Sequence, residues 1–522
     1  MKLVLTGAMF SLAMSAGNAK ASQALMKEAL NKLPGGQITL DVVAGLGAKN
    51  SDQMRLIENK LVTKNVSYMQ VDGQLDPSVY ASGGYVDDNK AQLNAFAFQS
   101  MKTGQLKVGA QKAFSSGTAL KGELSYSDIE TEMIDAQSQI TGATTTTSKF
   151  EEADLIFEIQ QSLLNNSFGS ATRSQLTAGE AQGGAVVQQY RLDVGQWMVS
   201  TSEIYYNAWF AQRRVEASKH TLEIQQRLLK ITKILKNRGV SHEADLLQVE
   251  GAVIAAENAL REDVNQLNNV WRQLIIYLKL DPAFLKIDPS TIPIVRGDYY
   301  KEAKYLCRKS SEKNFLKNSL PRFRKLDLDY KAVKGQLDSS KNLTLPELNL
   351  AFSIDTNGVK RVEGGQTKDG DFWSDTMNMK NPKYTVALNF NMPIFNNIKK
   401  SDVITNFKNL KDVEYSLSKT RDDVRVQWAN DCKDIERLES NIRYMEVRVK
   451  KENQREKLEE NRFKLGKVDV LNIVQASRDQ VQALIALQSS QAALYKKVWE
   501  IKELHGDVEG YLAGLKKRFK NR

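Results

Sequence analysis

The run Gly239-Val240-Ser241-His242-Glu243-Ala244-Asp245-Leu246-Leu247-Gln248 recurs as Gly466-Lys467-Val468-Asp469-Val470-Leu471-Asn472-Ile473-Val474-Gln475. The two register without a gap at an offset of 227 positions (466 against 239). Gly falls on Gly, Asp245 on Asn472, Leu246-Leu247 on Ile473-Val474, and Gln248 on Gln475. Upstream, Leu163-Leu164-Asn165-Asn166 matches Ile394-Phe395-Asn396-Asn397 at an offset of 231 (394 against 163), and Asp76-Pro77 stands where Leu345-Pro346 stands later. Self-similarity of this kind marks a duplicated unit. Each half has the same order of parts.

After each Asn-Asn pair the apolar residues keep a helical period. They fall at Val403, Phe407, Leu410, Leu417, Val424, Trp428, Ile435, Leu438, Ile442, Met445 and Val449 in the second half, and at Ile204, Ala208, Ala211, Val215, Leu222 and Leu229 in the first. Mean steps near 3.5 over many turns predict long coiled-coil helices. Proline, which costs about 3 kcal/mol inside a helix, is absent from Leu164 to Leu280 and from Ile394 to Arg522. The 68 residues from Ile398 to Leu465 would extend roughly 100 Å at about 1.5 Å each. Gly239 and Gly466 end the long helices, as glycine past a helix end commonly does. Shorter helices then return over about 243–280 and 468–503, and Pro321 starts a further helix as a favoured first-turn residue.

Before each Asn-Asn pair the period is two. Tyr384, Val386, Leu388 and Phe390 alternate with Thr385, Ala387, Asn389 and Asn391; Leu348, Leu350, Phe352 and Ile354 alternate with Asn349, Ala351 and Ser353; Leu155, Phe157 and Ile159 alternate with Ile156, Glu158 and Gln160. A fourth strand, near Val79 to Val86, is rich in glycine and serine. Nine to eleven residues with one apolar face suit a tilted strand crossing a membrane, although half-buried strands of a soluble sandwich alternate too. Pro77 to Asn165 spans 88 positions against 50 for Pro346 to Asn396, so the first half carries 38 extra. The excess holds a hairpin pattern, Val108 to Phe114 and Leu120 to Tyr126 about Ser116-Gly117, which either lengthens a barrel or lies above the membrane. The second loop, Asp355 to Lys383, is rich in Gly, Asp and Lys and is expected to be exposed.

Composition narrows the class. With 41% hydrophobic and 26% charged residues the chain is globular rather than disordered. Lys2, the apolar run Leu3 to Ala16 and Ala19-Lys20-Ala21 read as a signal peptide over 1–21. No later uncharged apolar run reaches the roughly 20 residues of a spanning helix. The net charge of +11 is dispersed among 62 acidic residues, without an aromatic-basic module, so no nucleic-acid partner is expected. His220, His242 and His505 are scattered, and Cys307 and Cys432 match no metal spacing; the two cysteines are either paired or separate small core residues. No phosphate loop, nucleophile elbow or paired-carboxylate context appears, so neither an enzyme nor a cofactor is expected. Four strands cannot close a barrel, and open edges in lipid leave backbone groups unsatisfied, so other copies of the chain must supply the rest. A soluble periplasmic coiled-coil adaptor would explain the helices, but not alternating segments placed symmetrically before them.

The turn Arg462-Phe463-Lys464-Leu465-Gly466 followed by Asn472-Ile473-Val474-Gln475, with the junction Met392-Pro393-Ile394-Phe395-Asn396-Asn397, resembles the outer-membrane efflux protein (TolC-type) family over about Ser22 to Glu503. The resemblance implies a homotrimer in the outer membrane, with a twelve-stranded β-barrel in lipid and a long periplasmic α-helical barrel. It also implies a periplasmic adaptor docked at the helical tips and an inner-membrane transporter beyond it. The cargo would be small molecules, as in drug efflux, or polypeptides, as in type I secretion. On this plan the signal peptide is followed by an N-terminal segment with the first ascending helix (22–76) and a first strand pair with a long extracellular insertion (77–164). The first helical hairpin (165–280), an equatorial segment (281–320) and a second ascending helix (321–345) come next. A second strand pair (346–395), the second helical hairpin (396–503) and a tail (504–522) complete it. The lipid face is expected to include Leu155, Phe157, Ile159, Leu348, Leu350, Phe352, Tyr384, Val386, Leu388 and Phe390. The adaptor-docking tips would be Arg238, Gly239 and Val240 in one half and Lys464, Leu465 and Gly466 in the other. Where the family rings its entrance with two carboxylates, this chain has Asn472 and Gln475, and where a tip tyrosine holds the closed state it has Phe463. Asp245 is expected either to pair with a basic residue such as Lys467 or to stand solvated at its helix start. Ser162 stands opposite Pro393, so the first junction is expected to bend more softly.

Overall fold

The computed structural model describes residues 37–90, 98–134, 145–291, 294–297, 300–309, 320–363, 366–368 and 371–519; the expected signal peptide lies outside them. They form two compact units, one of strands with the helix ends beside them (63–185 and 326–417), the other helical (up to 62, 186–325 and from 418).

The chain opens with α1 (Leu40–Asn50), α2 (Asp52–Asn59) and α3 (Val66–Asp72), with 3-10 turns at Lys60–Asn65 and Gly73–Leu75. The first ascending helix is therefore broken. In the strand unit the backbone at Lys64 and Ser67 lies so close to Gly183 and Gly179 that a Cβ there would collide with carbonyl oxygens at 2.1 and 2.8 Å. Its counterpart in the second half, α7 (Pro321–Asn342), is continuous.

The long helices follow the duplication. α4 (Ser170–Asn237) and α9 (Asn397–Lys464) hold 68 residues each; α5 (Glu243–Leu278) and α10 (Val470–His505) hold 36 each. Every bound in one half lies 227 positions from its counterpart, as in the turn motif. The step from 231 to 227 falls at a 3-10 turn, Ser167–Gly169, present only at the first junction. At both junctions an asparagine reverses the chain in the left-handed region, Asn166 at φ 54° and Asn396 at φ 46°, a conformation asparagine tolerates.

The strand unit holds one antiparallel sheet in the order β1 (Ser78–Asp88), β2 (Phe98–Ala113), β3 (Thr118–Ile134), β4 (Thr145–Ser162) and β5 (Glu347–Glu363). β5 then pairs with both the short β6 (Gln366–Lys368) and β7 (Pro382–Asn391). The four strands expected become six long ones, because the hairpin β2–β3 is inserted between β1 and β4. The per-chain count underlying a twelve-stranded trimer is thus exceeded by two. The second loop also departs from expectation. β5 runs on to Glu363, and α8 (Phe372–Met377) buries Phe372 and Thr376.

In the helical unit, the main core joins α1, the middle of α4, the end of α5, the 3-10 turn Pro282–Lys286, the end of α10 and α11 (Val508–Phe519). Trp197, Trp271 and Trp499 fill it, Trp271 donating its indole N–H to the Phe284 carbonyl at 2.9 Å. Tyr205 donates to the Ile38 carbonyl at 2.8 Å, beside the bridge Ile38–Ile294. Nearby α6 (Tyr300–Lys309) is fastened to α9 by a Cys307–Cys432 disulfide, Cα–Cα 5.8 Å, so of the two cysteine readings the paired one holds.

Candidate functional site: the strand wall and the hairpin tips

The sheet has two chemically different faces. Register places Leu155 beside Leu124, Phe157 beside Ile354 and Ile159 beside Phe352, then Phe352 beside Val386, Leu350 beside Leu388 and Leu348 beside Phe390. All ten residues expected to meet lipid share that face, and Val386 is 70% exposed. The opposite face carries Lys121, Glu123, Ser125, Asp154, Glu158, Ser353, Asp355 and Asn389. Its polar groups are tied across strands: Ser125 donates to Asp154 at 3.1 Å, and the Tyr80 hydroxyl donates to Glu123. Along the apolar face the band stops at a row of Tyr126, Ala153 and Gly358. α8 lies over that row, Trp373 stacking on Tyr126 at 5.9 Å and Thr376 donating to the Ala153 carbonyl. Beyond it come ion pairs, Lys149–Asp128 at 3.1 Å and Lys360–Glu151 at 3.2 Å. Apolar below, aromatic at the rim, charged above: that is the profile of a wall crossing a bilayer.

The tips are built by the two glycine turns. Gly239 and Gly466 take φ 73° and 67°, which lets Val240 N–H reach the Leu235 carbonyl and Lys467 N–H reach that of Arg462, each at 2.9 Å. The turns touch one another, since a Cβ on Gly466 would stand 3.2 Å from the Val240 side chain. Above them Ile224, Leu228, Leu235, Val249, Phe463, Val470, Ile473 and Val474 form one apolar cluster, with Phe463 only 3% exposed. Asp245, Phe463 and Lys467 line a common cleft of about 350 Å³. Asp245, however, is spent on its own helix. It accepts from the His242 N–H at 2.9 Å and the Ser241 hydroxyl at 2.8 Å, and these bonds hold its carboxyl below the usual carboxylate range. The helix-start alternative, rather than a Lys467 pair, describes its contacts.

Asn472 and Gln475 are both exposed on α10, opposite the buried Ile473, Val474, Ala476 and Ser477. Sequence reasoning missed their neighbour. Asp479 continues the same stripe one turn on, accepting from Gln475 at 2.8 Å and pairing with Arg455 at 2.9 Å. A spacing of three then four from Asn472 was the available signal. Arg238, Gly239, Val240, Lys464, Leu465 and Gly466 are all exposed at the turns. Among the described residues no group of His, Cys, Asp and Glu is placed to hold a metal ion, and no helix is long and apolar enough to cross a membrane.

The strand unit thus presents a two-faced antiparallel sheet, and the helical unit presents paired hairpins closed by glycine turns. Residues 119–278 match the family model described as outer membrane efflux protein. Among solved structures the chain is similar to the outer-membrane channel OprN (TM-score 0.62, 14% identity, 90% of this chain and 89% of that one). It is likewise similar to VceC of Vibrio cholerae (0.62, 10%, 90% and 96%) and to the CmeC outer membrane channel of Campylobacter jejuni (0.59, 13%, 92% and 90%). No curated protein matches it in sequence. The family match covers residues 119–278, under a third of the chain, and the likeness to the solved channels shows a shared fold.

Proposed function

We propose that three copies of this chain close into one outer-membrane exit duct. It passes small molecules or polypeptides passively from an inner-membrane transporter to the exterior, with a periplasmic adaptor seated on the tips. The observation that carries the reading is the apolar band on one face of the sheet, bounded by aromatic and then charged rows. One chain leaves β1 and β7 open at their outer edges, and each unsatisfied backbone group in lipid costs several kcal/mol. Further copies remove that cost. They would also cover Ile404, Phe407 and Tyr415 on α9, which are exposed in a single chain. At the tips Val240 and Leu465 are exposed apolar residues on tight turns, the kind of knob an adaptor groove receives. The entrance is assigned to the stripe Asn472, Gln475 and Asp479. Without a free ring of carboxylates it should hold divalent cations weakly.

Conductance across planar bilayers tests this. The purified chain should need detergent, migrate as a heat-modifiable trimer and form channels. Asn472→Asp should raise cation selectivity and introduce block by divalent cations. A water-soluble monomer without channels would overturn the duct; unchanged selectivity and block in Asn472→Asp would overturn the entrance assignment.

A further inference from the structure

The hairpin β2–β3 has the build of a membrane wall along its whole length. Its turn sits at the end of the sheet where the helices begin: Ser162 N–H donates to the Gly117 carbonyl at 3.1 Å, and Arg173 to that of Ser115 at 3.4 Å. Gly117 and Gly169 pack backbone to backbone there, since a Cβ on Gly169 would stand 1.7 Å from the Ser115 oxygen. From that end β2 pairs with β1 over the full length of β1, and β3 pairs with β4 from Thr118–Gln161 to Ile134–Thr145. Neither strand is a flap above the sheet.

The side chains agree with the backbone. Register puts Val79, Ala81 and Tyr85 of β1, Leu106, Val108 and Ala110 of β2, and Leu120, Leu124 and Tyr126 of β3 on the face that carries Leu155, Phe157 and Ile159. Between them Gln105, Lys107, Gln111, Lys121, Glu123 and Ser125 face the other way. On that polar face Tyr80 of β1 reaches over Gly109 of β2 and donates to Glu123 of β3, and Lys121 pairs with Glu123 at 2.9 Å. The hairpin thus continues both the apolar band and the polar lining without a break. Two inserted strands also keep β1 and β4 antiparallel, so the insertion disturbs neither junction.

Building on the trimeric duct above, we propose that β2 and β3 are wall strands. Three copies, each pairing its β1 with the β7 of the next, then close an eighteen-stranded barrel. β1 and β7, at 11 and 10 residues, are the shortest of the six long strands and match the length that spans a bilayer, so pairing between copies is confined to the lipid layer. With strands about 4.8 Å apart and tilted about 40°, twelve strands enclose a backbone cylinder roughly 24 Å across, and eighteen one of about 36 Å. The exit then accepts cargo about half as wide again as a twelve-stranded wall would pass.

The test is site-directed fluorescence quenching in trimers reconstituted into lipid. Leu106→Cys, Val108→Cys, Leu124→Cys and Lys107→Cys are each labelled with bimane, with Val386→Cys on β7 as the reference; Cys307 and Cys432 stay oxidised and do not react. Labels at 106, 108 and 124 should be quenched by brominated lipid as strongly as the label at 386, and the label at 107 by aqueous iodide alone. Iodide quenching at 106, 108 and 124, with lipid quenching kept at 386, would place the hairpin outside the wall and overturn the eighteen-stranded barrel while leaving the duct standing. Loss of lipid quenching at 386 as well would overturn the duct, and this proposal with it.

Discussion

Asp245 and Asn472 hold equivalent places in the two halves, and the chemistry that separates them is helix capping. In the first half the carboxylate sits three residues into α5 and reaches back to the His242 N–H. In the second it has moved to the cap itself, where Asp469 accepts from the Leu471 N–H at 3.4 Å. Either position puts negative charge at the positive end of a helix dipole. Asn472 is thereby released from capping, and it stands exposed on α10. Phe463 works differently, by burial alone. Phe463→Ala should remove about 3–5 kcal/mol of local packing. Amide hydrogen exchange should accelerate across 224–249 and 463–475 and stay unchanged near Trp271 and Trp499, while Phe463→Leu should restore most of the protection. Uniform acceleration, or none, would show that Phe463 does not pin the tips.

Elements were legible in the sequence to the extent that their signal was local. The 68- and 36-residue helices could be read because period and glycine turn repeat at a fixed offset, and β7 because strict alternation ends at an Asn-Asn pair. The order of strands in the sheet was not legible. Alternation about Ser116-Gly117 says that a hairpin forms, but nothing in it names the neighbours. The disulfide was hidden for the same reason, since its cysteines lie 125 positions apart on elements whose packing is set by the apolar cluster of Ile435, Leu438, Leu494 and Val498. That α6–α9 joint also has an ionic part. Hydrogen bonds from Tyr300, then Lys304 and Arg443, hold the Glu439 carboxyl down to about 2 against an ordinary 4.5. A depressed carboxyl contributes stability that is fully present above its unfolded value and fades as pH falls from about 4.5 through about 2. Glu439→Gln should therefore lower the Tm of the joint at pH 7, and the gap to the parent should close over that acid window. A gap of constant size at every pH would mean that Glu439 acts by packing alone.

At the scale of the whole molecule, the insertion would separate how the proposed duct is sealed from how wide it is. β1 and β7 present the outer edges whether or not β2 and β3 stand between β1 and β4, and the helices follow the 227-residue repeat without regard to either. Excision is therefore expected to be tolerated. Removing 91–144 joins Lys90 to Thr145 at the end of the sheet away from the helices, and leaves β1 antiparallel to β4. The faces also stay in phase, because Ser78 stands beside Gln111, Gln111 beside Lys121, and Lys121 beside Glu158, all on the polar side. The excised chain should still need detergent and still run as a heat-modifiable trimer, now with four long strands per copy. Its exit should shrink from about 36 Å to about 24 Å of backbone diameter, measured on particles by electron cryomicroscopy. The tips, built from residues outside the deletion, should keep their dimensions, so conductance limited there should hardly change. A trimer whose barrel diameter is the same with and without the hairpin would mean that wall width is set by something other than strand number.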